Sequence, residues 1–138
     1  MSHPDLLDVI HGLRPVHFVA QDAQHVAFLA ERPVRPGHVV VATRQVFDST
    51  LDLDAVQHAA LWAFVHRVGR ALRDHLPCQR VCVSVIGWAV RHAHVHLIPT
   101  DAPGQVPGLD GAPLPAAVAE ALAARLRAGL AGAPPLPG

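Results

Sequence analysis

Arg91-His92-Ala93-His94-Val95-His96-Leu97-Ile98-Pro99 decides how the rest of this chain is read. Histidine recurs there at every second position between small or branched apolar residues. Side chains alternate between the two faces of a β-strand, so the pattern predicts His92, His94 and His96 on one face and Ala93, Val95 and Leu97 on the other. The apolar face is the one to bury. The imidazoles are then expected on the opposite, more open surface, where a row of three calls for a reason beyond packing.

Working outward from this strand, residues 80–86 read as its partner, joined to it through Gly87-Trp88-Ala89-Val90. A long helix is predicted over 53–76, capped by Asp52 and ended by Pro77, with Val56, Ala60, Phe64, Val68, Leu72 and Leu76 at four-residue spacing on a face that must cover a sheet. The β-branched run His38-Val39-Val40-Val41-Ala42 suits a central strand, and residues 15–20 and 25–30 form a hairpin around Gln21-Asp22-Ala23-Gln24. Residues 4–12 form a short helix that buries Leu6, Leu7 and Ile10 and stops at Gly12. After the histidine strand, residues 100–115 are a Pro-, Gly- and Asp-rich coil or lid, 115–131 an Ala/Leu helix and 133–138 a frayed tail. Short turns between adjacent strands imply an α+β fold, a mostly antiparallel five-stranded sheet with its helices against one face. The expected division is one domain over 1–115, followed by a C-terminal helix and Pro-rich tail over 116–138.

At 138 residues the chain is large enough for one core without staples. Its 11 bases, all arginine, balance 11 acids, which argues against a nucleic-acid or anionic-membrane partner. Lys, Asn and Tyr are absent altogether. Cys78 and Cys82 fit no metal or redox motif and read as small hydrophobes in or near a strand. No apolar run approaches the ~18 residues of a membrane span, and the N-terminal stretch lacks the features of a signal peptide, so a cytoplasmic location is expected.

The histidine row admits three chemistries. One neutral ring could attack phosphorus while its neighbours hydrogen-bond the phosphate, since protonating one imidazole disfavours protonating the next. The rings could instead bind a divalent metal, although at ~3.3 Å per residue only two neighbours easily share one ion. Or they could be satisfied polar residues of a sheet face.

His92-Ala93-His94-Val95-His96-Leu97-Ile98 resembles the signature of the histidine triad family, His-φ-His-φ-His-φ-φ with φ apolar. The resemblance covers roughly residues 8–100 and includes Ile10-His11-Gly12, Val26-Ala27-Phe28-Leu29 and Pro36-Gly37-His38-Val39-Val40-Val41. It implies a nucleotidyl hydrolase or transferase acting at the α-phosphate of an adenosine phosphoramidate, a dinucleoside polyphosphate or a similar nucleotide derivative, needing no cofactor or metal. By that resemblance His94 attacks the α-phosphorus, His96 contacts the phosphate or assists the leaving group, and His92 orients His94. Phe28, Glu31, Ser84, Trp88 and Arg91 are the expected substrate-binding positions, and a homodimer is the expected assembly.

The chain also departs from the family pattern. Gly87-Trp88-Ala89-Val90 stands where Gly-Gln-Ser-Val is frequent, and Ala30 stands where an Asp commonly grips the ribose, with Glu31 beside it as a substitute. The place of a fourth histidine falls at about Val46, and His38 reads as a structural residue at the start of its strand. These departures motivate a second reading, a catalytically weakened nucleotide-binding or interaction module. A metal-dependent hydrolase using His94 and His96 is a third.

Overall fold

The structure, a computed structural model, describes residues 4–106 and 112–132. The expected tail over 133–138 and part of the expected lid lie outside the described residues. In chain order the elements are α1 (Pro4–Ile10), β1 (Phe18–Gln21), β2 (His25–Leu29), β3 (Val39–Thr43), a single 3-10 turn (Thr50–Asp52), α2 (Ala55–His75), β4 (Arg80–Ser84), β5 (His94–Thr100) and α3 (Ala116–Ala131). The strands form one sheet in the order β1-β2-β3-β5-β4, and every neighbouring pair is antiparallel. This is the expected α+β architecture.

The helix boundaries follow capping chemistry. Asp54, rather than Asp52, caps α2: its carboxylate accepts from the Gln57 N–H at 2.8 Å while the Gln57 side chain returns a bond to the Asp54 N–H at 2.9 Å. Asp52 belongs to a separate box with Ser49 that closes the 3-10 turn. The buried stripe of α2 is Leu61, Phe64, Val65, Val68, Ala71 and Leu72, whereas Val56 is 80% exposed. A four-residue step overshoots a helical turn by ~40°, so Val56, two steps before Phe64, has rotated out to solvent.

The two faces of the sheet are covered differently. Ala27, Leu29, Val39, Val41, Val95 and Leu97 pack with the α2 stripe and with Ala123, Leu126 and Leu130 of α3. On the other face Val26, Phe28, Val40 and Ala42 pack with Leu6 and Val9 of α1. The helices therefore do not all sit on one face, and α1 buries Leu6 and Val9 rather than the expected set of Leu6, Leu7 and Ile10. Helix α3 is further tied to β1, because Arg127 donates to the Phe18 carbonyl at 2.8 Å and pairs with Glu120, which also bonds His17 at 2.9 Å.

One glycine sets the entry to β3. Gly37 has φ +92°, and a Cβ there would lie 2.6 Å from Leu76 Cδ1 and 3.1 Å from Pro99 Cγ. The positive φ favours glycine here, and a side chain would also require Leu76 and Pro99 to give way.

Candidate active site

Strand register lays out the site. Directly opposed residues of antiparallel strands share a face, so Phe18, Phe28, Val40, His96 and Ser84 form one row across all five strands. The next row contains Val26, Ala42 and His94. Against these rows, beneath α1, lies a cavity of about 410 Å³ whose walls include Leu6 and Val9 from α1, Phe28 from β2 and Val90, with His38, His94 and His96 on its polar side.

The histidine face is not open. His94 and His96 are only 6% and 9% exposed, and every residue of β5 is buried. Leu6 and Val9 of α1 pack with Val26, Phe28, Val40 and Ala42 on this side of the sheet and wall the same cavity as the two rings. His92 precedes β5 and does not line the cavity; its Nε2 lies 2.6 Å from the Thr43 carbonyl, and its buried Nδ1 has no partner. Thus two rings of the triplet reach the cavity, and the third imidazole there comes from β3's start. His38 Nε2 is 2.9 Å from His96 Nδ1. The expected place for a fourth histidine, Val46, is instead 44% exposed.

The hydrogen bonds assign the tautomers of the neutral rings. The Val34 N–H donates to His38 Nδ1 at 3.1 Å, so His38 carries its proton on Nε2 and donates to His96 Nδ1. His96 then carries its own proton on Nε2. His94 Nδ1 donates to the His92 carbonyl at 2.6 Å, which leaves His94 Nε2 with a lone pair. The His94 and His96 rings meet edge to face with centroids 4.9 Å apart, so the cavity pairs an unprotonated nitrogen with an N–H donor.

Burial keeps these rings neutral. Desolvation lowers His38 to about 4, and desolvation reinforced by His94 and His38 lowers His96 to about 3. His94 and His92 are also held below the ordinary histidine value by burial, against the opposing pull of the carbonyls they contact. A neutral His96 is a hydrogen-bond donor rather than a general acid. The lining is also charged: Arg14, Arg32 and Glu31 belong to it, and Arg14 grips Glu31 through Nε and Nη2, with Nη2 lying 2.7 Å from Oε2.

Of the residues expected to bind substrate, Phe28 and Glu31 line the cavity. Ser84 stands opposite His96 in register but outside the lining. Trp88 is 81% exposed, and Arg91 is held by Asp48 through two bonds of 2.7 and 2.9 Å; neither lines the cavity. Arg14, Arg32 and His38 were not singled out by sequence reasoning as substrate contacts. For His38 a signal existed, a histidine at the head of a β-branched central strand. For Arg14 there was none. Among the described residues no group of three His, Cys, Asp or Glu side chains is arranged to hold a metal ion, and no helix is long and apolar enough to cross a membrane.

The chain is similar to known proteins in sequence and in fold. The family model of the HIT domain matches residues 12–102. The chain is 27% identical over 73 residues to a bis(5'-adenosyl)-triphosphatase of Dictyostelium discoideum, covering 49% of each protein. It is 29% identical over 73 residues to a bifunctional bis(5'-adenosyl)-triphosphatase/adenylylsulfatase of Arabidopsis thaliana, covering 49% of this chain and 41% of that protein. The chain thus spans about half the length of these curated relatives or less. Among solved structures, a hypothetical histidine triad nucleotide-binding protein from Sulfolobus tokodaii superposes with a TM-score of 0.82 at 24% identity, over 92% of this chain and 91% of that one.

Proposed function

The chain belongs to the HIT domain family, and from that premise we propose that it cleaves nucleotide derivatives at the α-phosphate through a nucleotidyl-histidine intermediate on His94. One observation carries the reading: His94 Nδ1 is committed to the His92 carbonyl, so the nucleophilic Nε2 belongs to a ring that lines the cavity. The lone pair of Nε2 attacks phosphorus; the P–N bond forms as the bond to the leaving group breaks, and that group takes its proton from water. The His92 carbonyl then faces a positively charged ring and stabilises it. His96 donates from Nε2 to a phosphate oxygen, the kind of preorganised hydrogen bond that stabilises charge developing in the transition state. Water next attacks phosphorus, giving up a proton to the hydroxide left in solvent by the first step, breaks the P–N bond and frees the nucleoside monophosphate, returning His94 to its neutral form. Leu6, Val9 and Phe28 supply an apolar enclosure suited to a base.

The reading is tested by AMP release from adenosine phosphoramidate and diadenosine tetraphosphate, with His94→Asn beside the wild type and both checked for folding. We expect at least a ~10³-fold loss of turnover in the variant. Wild-type protein that binds AMP but turns over neither compound would favour a nucleotide-binding module, a reading motivated by Ala30 in the cavity wall and by Trp88 outside it.

We also propose that two copies pair through β4. This outer strand has a described neighbour on one side only and exposes Val83, followed by exposed Val85 and Ile86, beside a groove lined by Trp62, Val81 and Leu97. A dimer mass by light scattering, reverting to monomer in Val83→Glu, is the expected result.

A further inference from the structure

We infer that the fold carries a second ligand site, on the sheet face away from His94, in which His25, Arg44 and Gln57 hold a small oxyanion, a carboxylate or a phosphate. The inference does not depend on the nucleotidyl reading. The second cavity, of about 200 Å³, shares no lining residue with the one that holds His94 and His96.

His25 is the group that marks the site. It opens β2, alternates there with the core residues Ala27 and Leu29, and stands opposite Thr43 in the β3 register. In this apolar row the imidazole is only 4% exposed and lies against Phe64 of α2, with ring centroids 5.1 Å apart. Its Nδ1 is 3.1 Å from Asp22 Oδ2, so that nitrogen carries a hydrogen and donates it to the carboxylate. Burial pushes the Asp22 carboxyl up, but hydrogen bonds from the His25 ring and the Gln24 N–H outweigh it and hold Asp22 below the ordinary carboxylate value. His25 Nε2 has no hydrogen-bond partner, yet, unlike His92 Nδ1, it is not sealed from solvent. A buried ring that reaches a cavity with one nitrogen unspent is a group left for a ligand.

The rest of the lining decides which ligand. Arg44, just past β3, is pinned through Nε to the Asp22 carbonyl and through Nη2 to the Gln21 side chain, both at 2.8 Å, and its Nη1 is unspent. Gln57 uses Oε1 to accept the Asp54 N–H in the α2 capping box, which leaves its NH2 to donate. Phe47 and Leu53 form the apolar part of the wall, and among the described residues no acidic side chain lines the cavity. The charged groups around the ring are thus Asp22 from the β1–β2 turn and Arg44 from the end of β3, while α2 presents Phe64 and Gln57. A proton on Nε2 makes an imidazolium whose charge Asp22 balances on the other nitrogen. His25, Arg44 and Gln57 then all donate, and a ligand that accepts from three donors and returns none is an oxyanion.

The test titrates inorganic phosphate and, separately, sodium acetate into the full chain at fixed pH and ionic strength, read by NMR at the His25 ring and the Gln24, Gln45 and Gln57 amides. Saturable shifts are expected there. Arg44→Met should weaken them roughly tenfold or more in affinity, and His25→Phe should abolish them. Arg44 is half-buried, so its variant decides the matter where His25→Phe does not fold. Tighter binding of phosphate names a phosphoryl ligand, and tighter binding of acetate a carboxylate. Phosphate that enters the catalytic cavity shifts the His94 and His96 rings instead, so the two sites are read separately. Shifts that do not saturate, that are confined to His94 and His96, or that saturate with unchanged affinity in Arg44→Met overturn the inference.

Discussion

Strand β5 is buried on both faces, but the two burials do different physical work. On one face Val95 and Leu97 lie at 0% exposure among α2 and α3 side chains, and their removal from water is a stability term. On the other face His94 and His96 are almost as inaccessible, yet they gain little from desolvation. There burial suppresses protonation and leaves each ring's hydrogen to be assigned by a neighbour. The same strand thus holds the fold with one set of side chains and keeps neutral, hydrogen-bonded imidazoles with the other.

Breaking the first face should have the largest effect on stability. Leu97→Ala, at full burial between β3 and β4, is expected to cost ~2–5 kcal/mol in chemical denaturation. AMP release at low temperature should survive it better than it survives His94→Asn.

Acid sharpens the comparison from the other side. His38 and His96 have folded-state values of about 4 and about 3, below the 6.5 of the unfolded chain. Well above pH 6.5 neither state takes up protons on these rings, and the full stability is present. As pH falls below 6.5 the unfolded chain binds protons that the folded chain does not, so stability declines toward pH 4 and 3. Between pH 7 and 5 each ring should remove up to ~2 kcal/mol, read from urea unfolding at the two pH values. His38→Phe should flatten that slope, while Leu97→Ala should leave it unchanged.

The helix over the histidines makes a smaller contribution than those behind the strand. Val9→Ala, at 2% exposure, should cost ~1–2 kcal/mol in the same assay and raise KM for nucleotide substrates, because Val9 also walls the cavity. Trp88→Ala should be the mildest change, with no measurable shift in melting temperature, since the side chain is 81% exposed.

Much of this was legible before any coordinates. The β-branched run of β3, the alternation of β5 and the apolar stripe of α2 each carry their own period, and Pro77 supplies the stop for α2. The triplet located His94 and His96. What escaped were pairings between distant segments. His38 meets His96 across 58 positions and Arg14 meets Glu31 across 17, and no local pattern encodes a register. The side that α1 covers was hidden for a related reason: a 7-residue helix shows too few turns to reveal which stripe is buried. His92 escaped because the strand begins two residues later than the alternation does.

Gly37 gives the arrangement a mechanical aspect. It does not line the cavity of His94 and His96, yet a Cβ at this position would meet Leu76, just past the end of α2, and Pro99 of the histidine strand. The next residue is His38, whose ring sets the proton on His96. A side chain added at this turn would strain the positive-φ backbone from which His38 follows and crowd Pro99 on β5. In a screen for lost activity, position 37 should behave like a member of the catalytic apparatus.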